Sequence, residues 1–318
     1  MGGGYYDRDV STSNSSTGYD YSSYSDDSSR AMGKTSFDSA LSPNRSLVCK
    51  AANPVVVAID VTGSMGNWSK VIWDKMPMFF GQIMIQGYLE DPAISFAAIG
   101  DAFSDTAPLQ VCDFEKGTAL DGWLEKIWLE SGGGGGSRES YELAAWYYLN
   151  CVDLGSPTKK PILFLTGDEG FYDEVKSDQI SRYLGKKAST ESSEEIFQKL
   201  RQKYHIFGVR KRYFTEQNRR IQEQWEKAMG PENVFILQDP KEVVDVMLGA
   251  IALVSGARDL DGYVKDMKDR DQSDERVRTV TTTLGRLSSS TSIAKRVDTE
   301  GLPAKKGSSK KKSGMKRL

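Results

Sequence analysis

One stretch, Val55-Val56-Val57-Ala58-Ile59-Asp60-Val61-Thr62-Gly63-Ser64-Met65, constrains this chain more than any other. Val55 to Asp60 is an apolar, largely β-branched run that ends on an acid. A strand buried on both faces needs such a run, and that setting belongs to parallel sheets covered by helices. Helical spacing begins just after it. One carboxylate, Asp60, and two hydroxyls, Thr62 and Ser64, therefore gather at the carboxyl end of a central strand. In open α/β sheets that is where ligands bind. Hard oxygen donors of this kind suit Mg²⁺ far better than a soft metal. Taken alone, the same residues also suit a helix cap.

The rest of the body alternates strand and helix. A helix is predicted from about Met65 to Leu89, with Trp68, Val71, Ile72, Phe79 and Ile83 at helical spacing. Pro77 should kink or restart it. Ala93 to Gly100 reads as a second buried strand and Leu109 to Phe114 as a short third, close enough to pair as a hairpin. Helices follow at Ala119 to Leu129 and Ser140 to Cys151, separated by the glycine run Gly132 to Gly136. Pro161 to Thr166 is the fourth strand. A helix within Ser189 to Tyr204 precedes a fifth strand, His205 to Val209. Another at Phe214 to Met229 precedes a sixth, Val234 to Leu237. Pro240 to Val254 closes the pattern, with proline in the first helical turn. The fold class expected is α/β. It is a doubly wound, mostly parallel six-stranded sheet with helices on both faces and one antiparallel edge strand.

Residues 1–46 are rich in Ser, Tyr, Asp and Gly, and too poor in aliphatics to offset chain entropy. They are expected to form a disordered arm before a body at 47–268. Residues 269–318 read as a second disordered tail, first Ser/Thr-rich and then basic. Ala304 to Arg317 carries seven basic residues and no acid, which suits either salt-sensitive contact with nucleic acid or acidic surfaces, or simple solvation. Net charge is only −2, so no global field points to nucleic acid. The cysteines Cys49, Cys112 and Cys151 are scattered, with neither metal spacing nor a disulfide framework. Together with the lack of a secretory signal and of a membrane-length apolar run, this leads us to expect a reducing, cytoplasmic setting.

Three loops should meet above the sheet: Asp60-Val61-Thr62-Gly63-Ser64, Ser137-Arg138-Glu139-Ser140, and Thr166-Gly167-Asp168-Glu169-Gly170. The first and third end neighbouring strands at the topological switch point. In order and content these loops resemble the von Willebrand factor A domain with its metal-ion-dependent adhesion site. The resemblance covers roughly Leu47 to Val254. Asp60, Thr62 and Ser64 match its D-x-T-G-S form. Asp168 matches the acid after the fourth strand, with Gly167 inserted into the usual T-D-G, so that Asp168 or Glu169 is the inward acid. In the middle loop Ser137 stands nearest the family's G-G-T threonine. Glu139 matches the glutamate of a G-G-G-x-x-P-E variant, with Arg138 in place of proline. The resemblance implies Mg²⁺ (Mn²⁺ or Ca²⁺ as alternatives) held by Asp60, Thr62, Ser64, Ser137 or Glu139, and Asp168. It implies a protein partner that supplies a carboxylate to the ion, no catalysis, and a scaffold or adaptor role. It also implies a relay from the metal to the last helix, Pro240 to Val254.

An enzymatic alternative starts from the same loop. Asp60-Val61-Thr62-Gly63-Ser64 also resembles the D-K-T-G-T of haloacid-dehalogenase-like phosphoryl transferases, in which Asp60 would be the nucleophile. Thr62 stands where those phosphatases carry a general-acid Asp, and Lys159 and Lys160 precede a strand instead of ending one. The five glycines follow a helix and lead to no Gly-Lys-Ser, so a phosphate-binding loop is not expected. His205, the only histidine, opens a strand away from the site loops, which leaves a Ser-His-Asp device without support.

Overall fold

The first strand, β1 (Asn53–Asp60), is buried along its whole length. It lies at the centre of a six-stranded sheet in a computed structural model that describes residues 36–129, 138–212 and 217–300, with side chains to residue 292. The other strands are β2 (Pro92–Ile99), β3 (Leu109–Val111), β4 (Ile162–Gly167), β5 (His205–Lys211) and β6 (Val234–Leu237). Their order across the sheet is β6-β5-β4-β1-β2-β3. All neighbours run parallel except β2 and β3, which form the antiparallel edge pair. This is the doubly wound α/β sheet expected from the sequence. The order reverses between β1 and β4, which places the switch-point crevice above Asp60 and Gly167.

Alternate residues of β1 feed two separate cores. Val55, Val57 and Ile59 join one side, with α1 (Asn67–Gln86) and α7 (Val243–Ser255). Val56 and Ala58 join the other, with α3 (Tyr141–Asn150), α5 (Ser193–Lys203) and α6 (Gln217–Met229). Each buried Val or Ile among them contributes about 1.5–3 kcal/mol. The same alternation turns Asp60 toward the α3 side, where Tyr141 begins that helix. Two shorter helices complete this part, α2 (Ala119–Leu124) and α4 (Ser177–Leu184); α4 has no counterpart among the expected elements. Pro77 does not restart α1, which runs unbroken from Asn67 to Gln86 and ends on the left-handed Gly87.

Both expected tails need correction. Residues 36–46 belong to the body: Leu41 is buried in a short turn that Asp38 caps, and Arg45 pairs with Asp113 and donates to the Val111 carbonyl. At the other end, residues 269–300 are not a disordered tail. Helix α8 (Leu260–Asp269) is followed by α9 (Asp274–Glu300). Val277, Val280, Leu284 and Leu287 form a buried stripe along α9 that joins the α7 core. Gly249 of α7 permits that approach: a Cβ there would collide with Leu284 and lie 2.7 Å from the Tyr263 ring. The hydroxyls of Thr279, Thr281, Thr282 and Thr283 bond to carbonyls four residues back, which lets a Ser/Thr-rich segment remain helical. Helix α7 is therefore not the last helix. Asp245, buried within it, is clamped at 3.4 Å by both Arg270 and Arg276. Residues 1–35, the glycine run with Ser137, and the basic residues from 304 onward lie outside the described residues.

Candidate functional site

The carboxyl ends of β1 and β4 bring the first and third loops together. Asp60 is fully buried. Its Oδ1 accepts from the Thr62 amide at 2.9 Å and from Thr62 Oγ1 at 2.6 Å. Its Oδ2 accepts from the Tyr141 hydroxyl. Thr62 Oγ1 lies 3.1 Å from Ser64 Oγ, which donates to Asp168 Oδ1 at 2.9 Å. Ser69 Oγ donates to the Asp60 carbonyl at 2.6 Å and fixes the start of α1 beneath the loop. The one-residue insertion is resolved in favour of Asp168 as the acid bonded to Ser64. Gly167 itself is required, because a Cβ there would strike the Tyr141 hydroxyl and lie 2.5 Å from Cζ of the same ring.

The second loop reaches the third through a two-residue parallel ladder, Arg138–Glu139 against Gly170–Phe171. Glu139 is thereby buried in the same acidic field. Among the described residues its Oε2 and that of Glu169 are buried without a hydrogen-bond partner. The field is visible in the ionisation of its members. Burial, and then the charge of Asp168, push Asp60 up to about 7. Burial, with Asp168 and Asp60 next, pushes Glu169 up to about 7. Burial, then Asp60 and Glu169, push Glu139 up to about 9. Asp168 is also raised by burial, although Lys211 beside it acts in the opposite direction. So many acids crowded together resist full ionisation unless a cation joins them.

Sequence reading missed several participants. Tyr141 gave no signal, because its role depends on a glycine 26 positions later. Arg210 and Lys211, at the end of β5, hold the third loop. Arg210 donates to the Asp168 carbonyl at 2.9 Å, and Lys211 Nζ lies 3.4 Å from Asp168 Oδ2. Cations at the carboxyl end of a strand two places from β1 were the available clue. The loop after β2 adds Asp101, which accepts from the Phe103 amide at 3.1 Å and from the Tyr172 hydroxyl at 3.0 Å.

The donor set fits a small hard cation. An octahedral shell with bonds of about 2.0–2.1 Å spaces adjacent oxygens about 3.0 Å apart. The 3.1 Å and 2.9 Å separations along Thr62, Ser64 and Asp168 are ordinary for hydrogen-bonded oxygens and also compatible with that edge. Among the described residues no three His, Cys, Asp or Glu side chains converge as a metal-binding group, so the constellation depends on its two hydroxyls.

No family model matches the chain, and no curated protein sequence does. Among solved structures it is similar to the pilus adhesin SpaC from Lactobacillus rhamnosus GG in its open conformation. That match has 9% identity and a TM-score of 0.46, over 66% of this chain and 31% of the adhesin. It is also similar to proximal thread matrix protein 1 from the mussel byssus. There the identity is 11% and the TM-score 0.42, over 65% of this chain and 49% of that one. The chain thus spans under a third of the first and about half of the second. At these identities and scores, the likenesses carry no argument about function.

Among the described residues no helix is long and apolar enough to cross a membrane. Cys49, Cys112 and Cys151 are free and buried. His205 opens β5 at the end of the strands opposite the site, and burial, then Lys160, lower it to about 4. An unfolded histidine takes up its proton near pH 6.5, whereas the folded one resists until about pH 4. The native chain is therefore expected to lose stability relative to His205→Asn as pH falls from about 6.5 to about 4. Urea unfolding of both proteins across that range checks this; parallel pH profiles would show that His205 titrates normally.

Proposed function

We propose that this chain is a Mg²⁺-dependent protein-binding module of the von Willebrand factor A type, acting as a scaffold or adaptor without catalysis. The observation that carries it is the chain of contacts joining Thr62 Oγ1, Ser64 Oγ and Asp168 Oδ1, at 3.1 Å and 2.9 Å, beside buried carboxylate oxygens that lack partners among the described residues. Thr62, Ser64 and Asp168 would hold the ion directly. Asp60 would support it from behind, as would Glu139 or Ser137 from the middle loop. When bound, Mg²⁺ supplies an open coordination position that a partner carboxylate can complete, a charge-assisted contact stronger than a neutral one.

This chain's own residues prepare the site for that contact. Tyr141 and the Thr62 amide orient Asp60, and the Ser69 bond fixes the turn that presents Ser64. Ser64 is half-buried whereas Asp60 and Asp168 are fully enclosed, so approach is from the Ser64 side. The same enclosure disfavours the phosphoryl-transfer alternative. Both oxygens of Asp60 are engaged, and neither faces solvent where a phosphoryl group could be attacked in line. The free buried thiols suit a reducing, cytoplasmic setting.

A pull-down with the native chain and with Asp60→Asn, each in Mg²⁺ and in EDTA, tests this function. Partners retained only by the native chain in Mg²⁺ are expected. Retention that is indifferent to both EDTA and the substitution would remove the metal from the binding function. A phosphatase assay with a beryllofluoride trap separates the alternative, since an adduct at Asp60 would favour the enzyme.

A further inference from the structure

Lys211, the last residue of β5, reaches across the end of β4 into the first loop. Its Nζ donates to the Ser64 carbonyl at 2.6 Å and approaches the Met65 carbonyl at 3.4 Å. It also lies 3.4 Å from Asp168 Oδ2, the carboxylate oxygen opposite the one bonded to Ser64. The Asp168 side chain is fully buried, and that of Lys211 is 22% exposed. One ammonium group therefore bridges the two loops that carry the candidate ligands. Next to it, Arg210 secures the Asp168 backbone. The three loops that carry the candidate ligands contain no lysine of their own.

Taking the Mg²⁺ site proposed above as given, we propose that Lys211 is its resident counter-cation. The ammonium holds the first and third loops in register without a divalent ion, and it weakens divalent binding by placing a positive charge on the Asp168 carboxylate. Affinity for Mg²⁺ is then set by competition with an internal charge. The physical basis is the sharing of one carboxylate. A charge within a few ångströms in a partly buried site shifts the binding of another by a large factor, and the sign here is repulsive. The strut also spares the metal-free chain the cost of an uncompensated buried acid.

Lys211→Met keeps the aliphatic stem and removes the charge, and calorimetric titration with Mg²⁺ reads the competition. Binding about tenfold tighter than native is expected, together with a lower melting temperature in EDTA and a larger rise on adding Mg²⁺. Equal or weaker binding by Lys211→Met overturns the competition. Absence of Mg²⁺ heat from native chain and variant alike overturns the metal site itself and the competition with it. A metal-free double-mutant cycle keeps the strut separately testable. The loss of melting temperature caused by Lys211→Met is expected to shrink in an Asp168→Asn background. An equal loss in both backgrounds overturns the bridge. Should Lys211→Met not fold, Lys211→Gln carries the same readings, since its amide retains a donor for the Ser64 carbonyl without the charge.

Discussion

Gly167→Ala is expected to destabilise the chain by about 3–5 kcal/mol and to disassemble the site at the same time. The added Cβ would meet the Tyr141 ring, 2.5 Å from Cζ and 2.7 Å from Cε1. Tyr141 cannot retreat. It is fully buried, its ring packs edge-on against Trp225 with centroids 4.9 Å apart, and its hydroxyl is bonded to Asp60. Overpacking of this kind costs about 1–3 kcal/mol. Losing a hydrogen bond to a carboxylate adds about 1.5–3 kcal/mol. Either the tyrosine leaves Asp60 or the end of β4 moves and takes Asp168 with it. Urea denaturation measures the cost. A companion Tyr141→Ala should make the alanine at 167 much cheaper, because the obstruction is gone. A Gly167→Ala protein within about 0.5 kcal/mol of native, the range of harmless surface changes, would mean that Tyr141 does not pack there.

The second large effect lies far from the site. Leu284→Ala in α9 is expected to cost about 3 kcal/mol, within the range for emptying a fully buried leucine position. Leu284 sits over Gly249 beside the Tyr263 ring, so the space it leaves is walled by rigid neighbours. The disordered tail expected from sequence would instead give almost no change. Denaturant titration of this one variant therefore decides whether residues 274–287 are part of the folded body.

These two positions also mark where the sequence was legible and where it was not. The strand from Val55 to Asp60 could be read because a run buried on both faces needs no partner information. The acid and the two hydroxyls at its end could be placed because an open sheet gathers its strand ends at one edge. The α9 helix escaped because its apolar stripe, Val277, Val280, Leu284 and Leu287, is thin and set among threonines and serines whose propensity argues against helix. Their hydroxyls are taken up by the helix's own carbonyls, which only the folded backbone reveals. Tyr141, Gly167 and Lys211 were hidden for a different reason. Each matters through contacts between loops that are distant in sequence, and no spacing in the chain encodes them. The inserted glycine looked like a departure from a motif, whereas it is the space a tyrosine occupies.

On the proposed reading, Asp60, Thr62, Ser64 and Asp168 together make a divalent-cation site. Isothermal titration of the EDTA-stripped, dialysed chain with Mg²⁺ addresses it most directly, run beside Asp60→Asn and Ser64→Ala. Asp60→Asn preserves the shape of a buried group, and Ser64→Ala removes one hydroxyl at a half-buried position. A single saturable heat from the native chain, reproduced with Mn²⁺ and lost or strongly weakened in both variants, is the expected result. Equal heats from all three proteins, or no heat from the native chain, would contradict it.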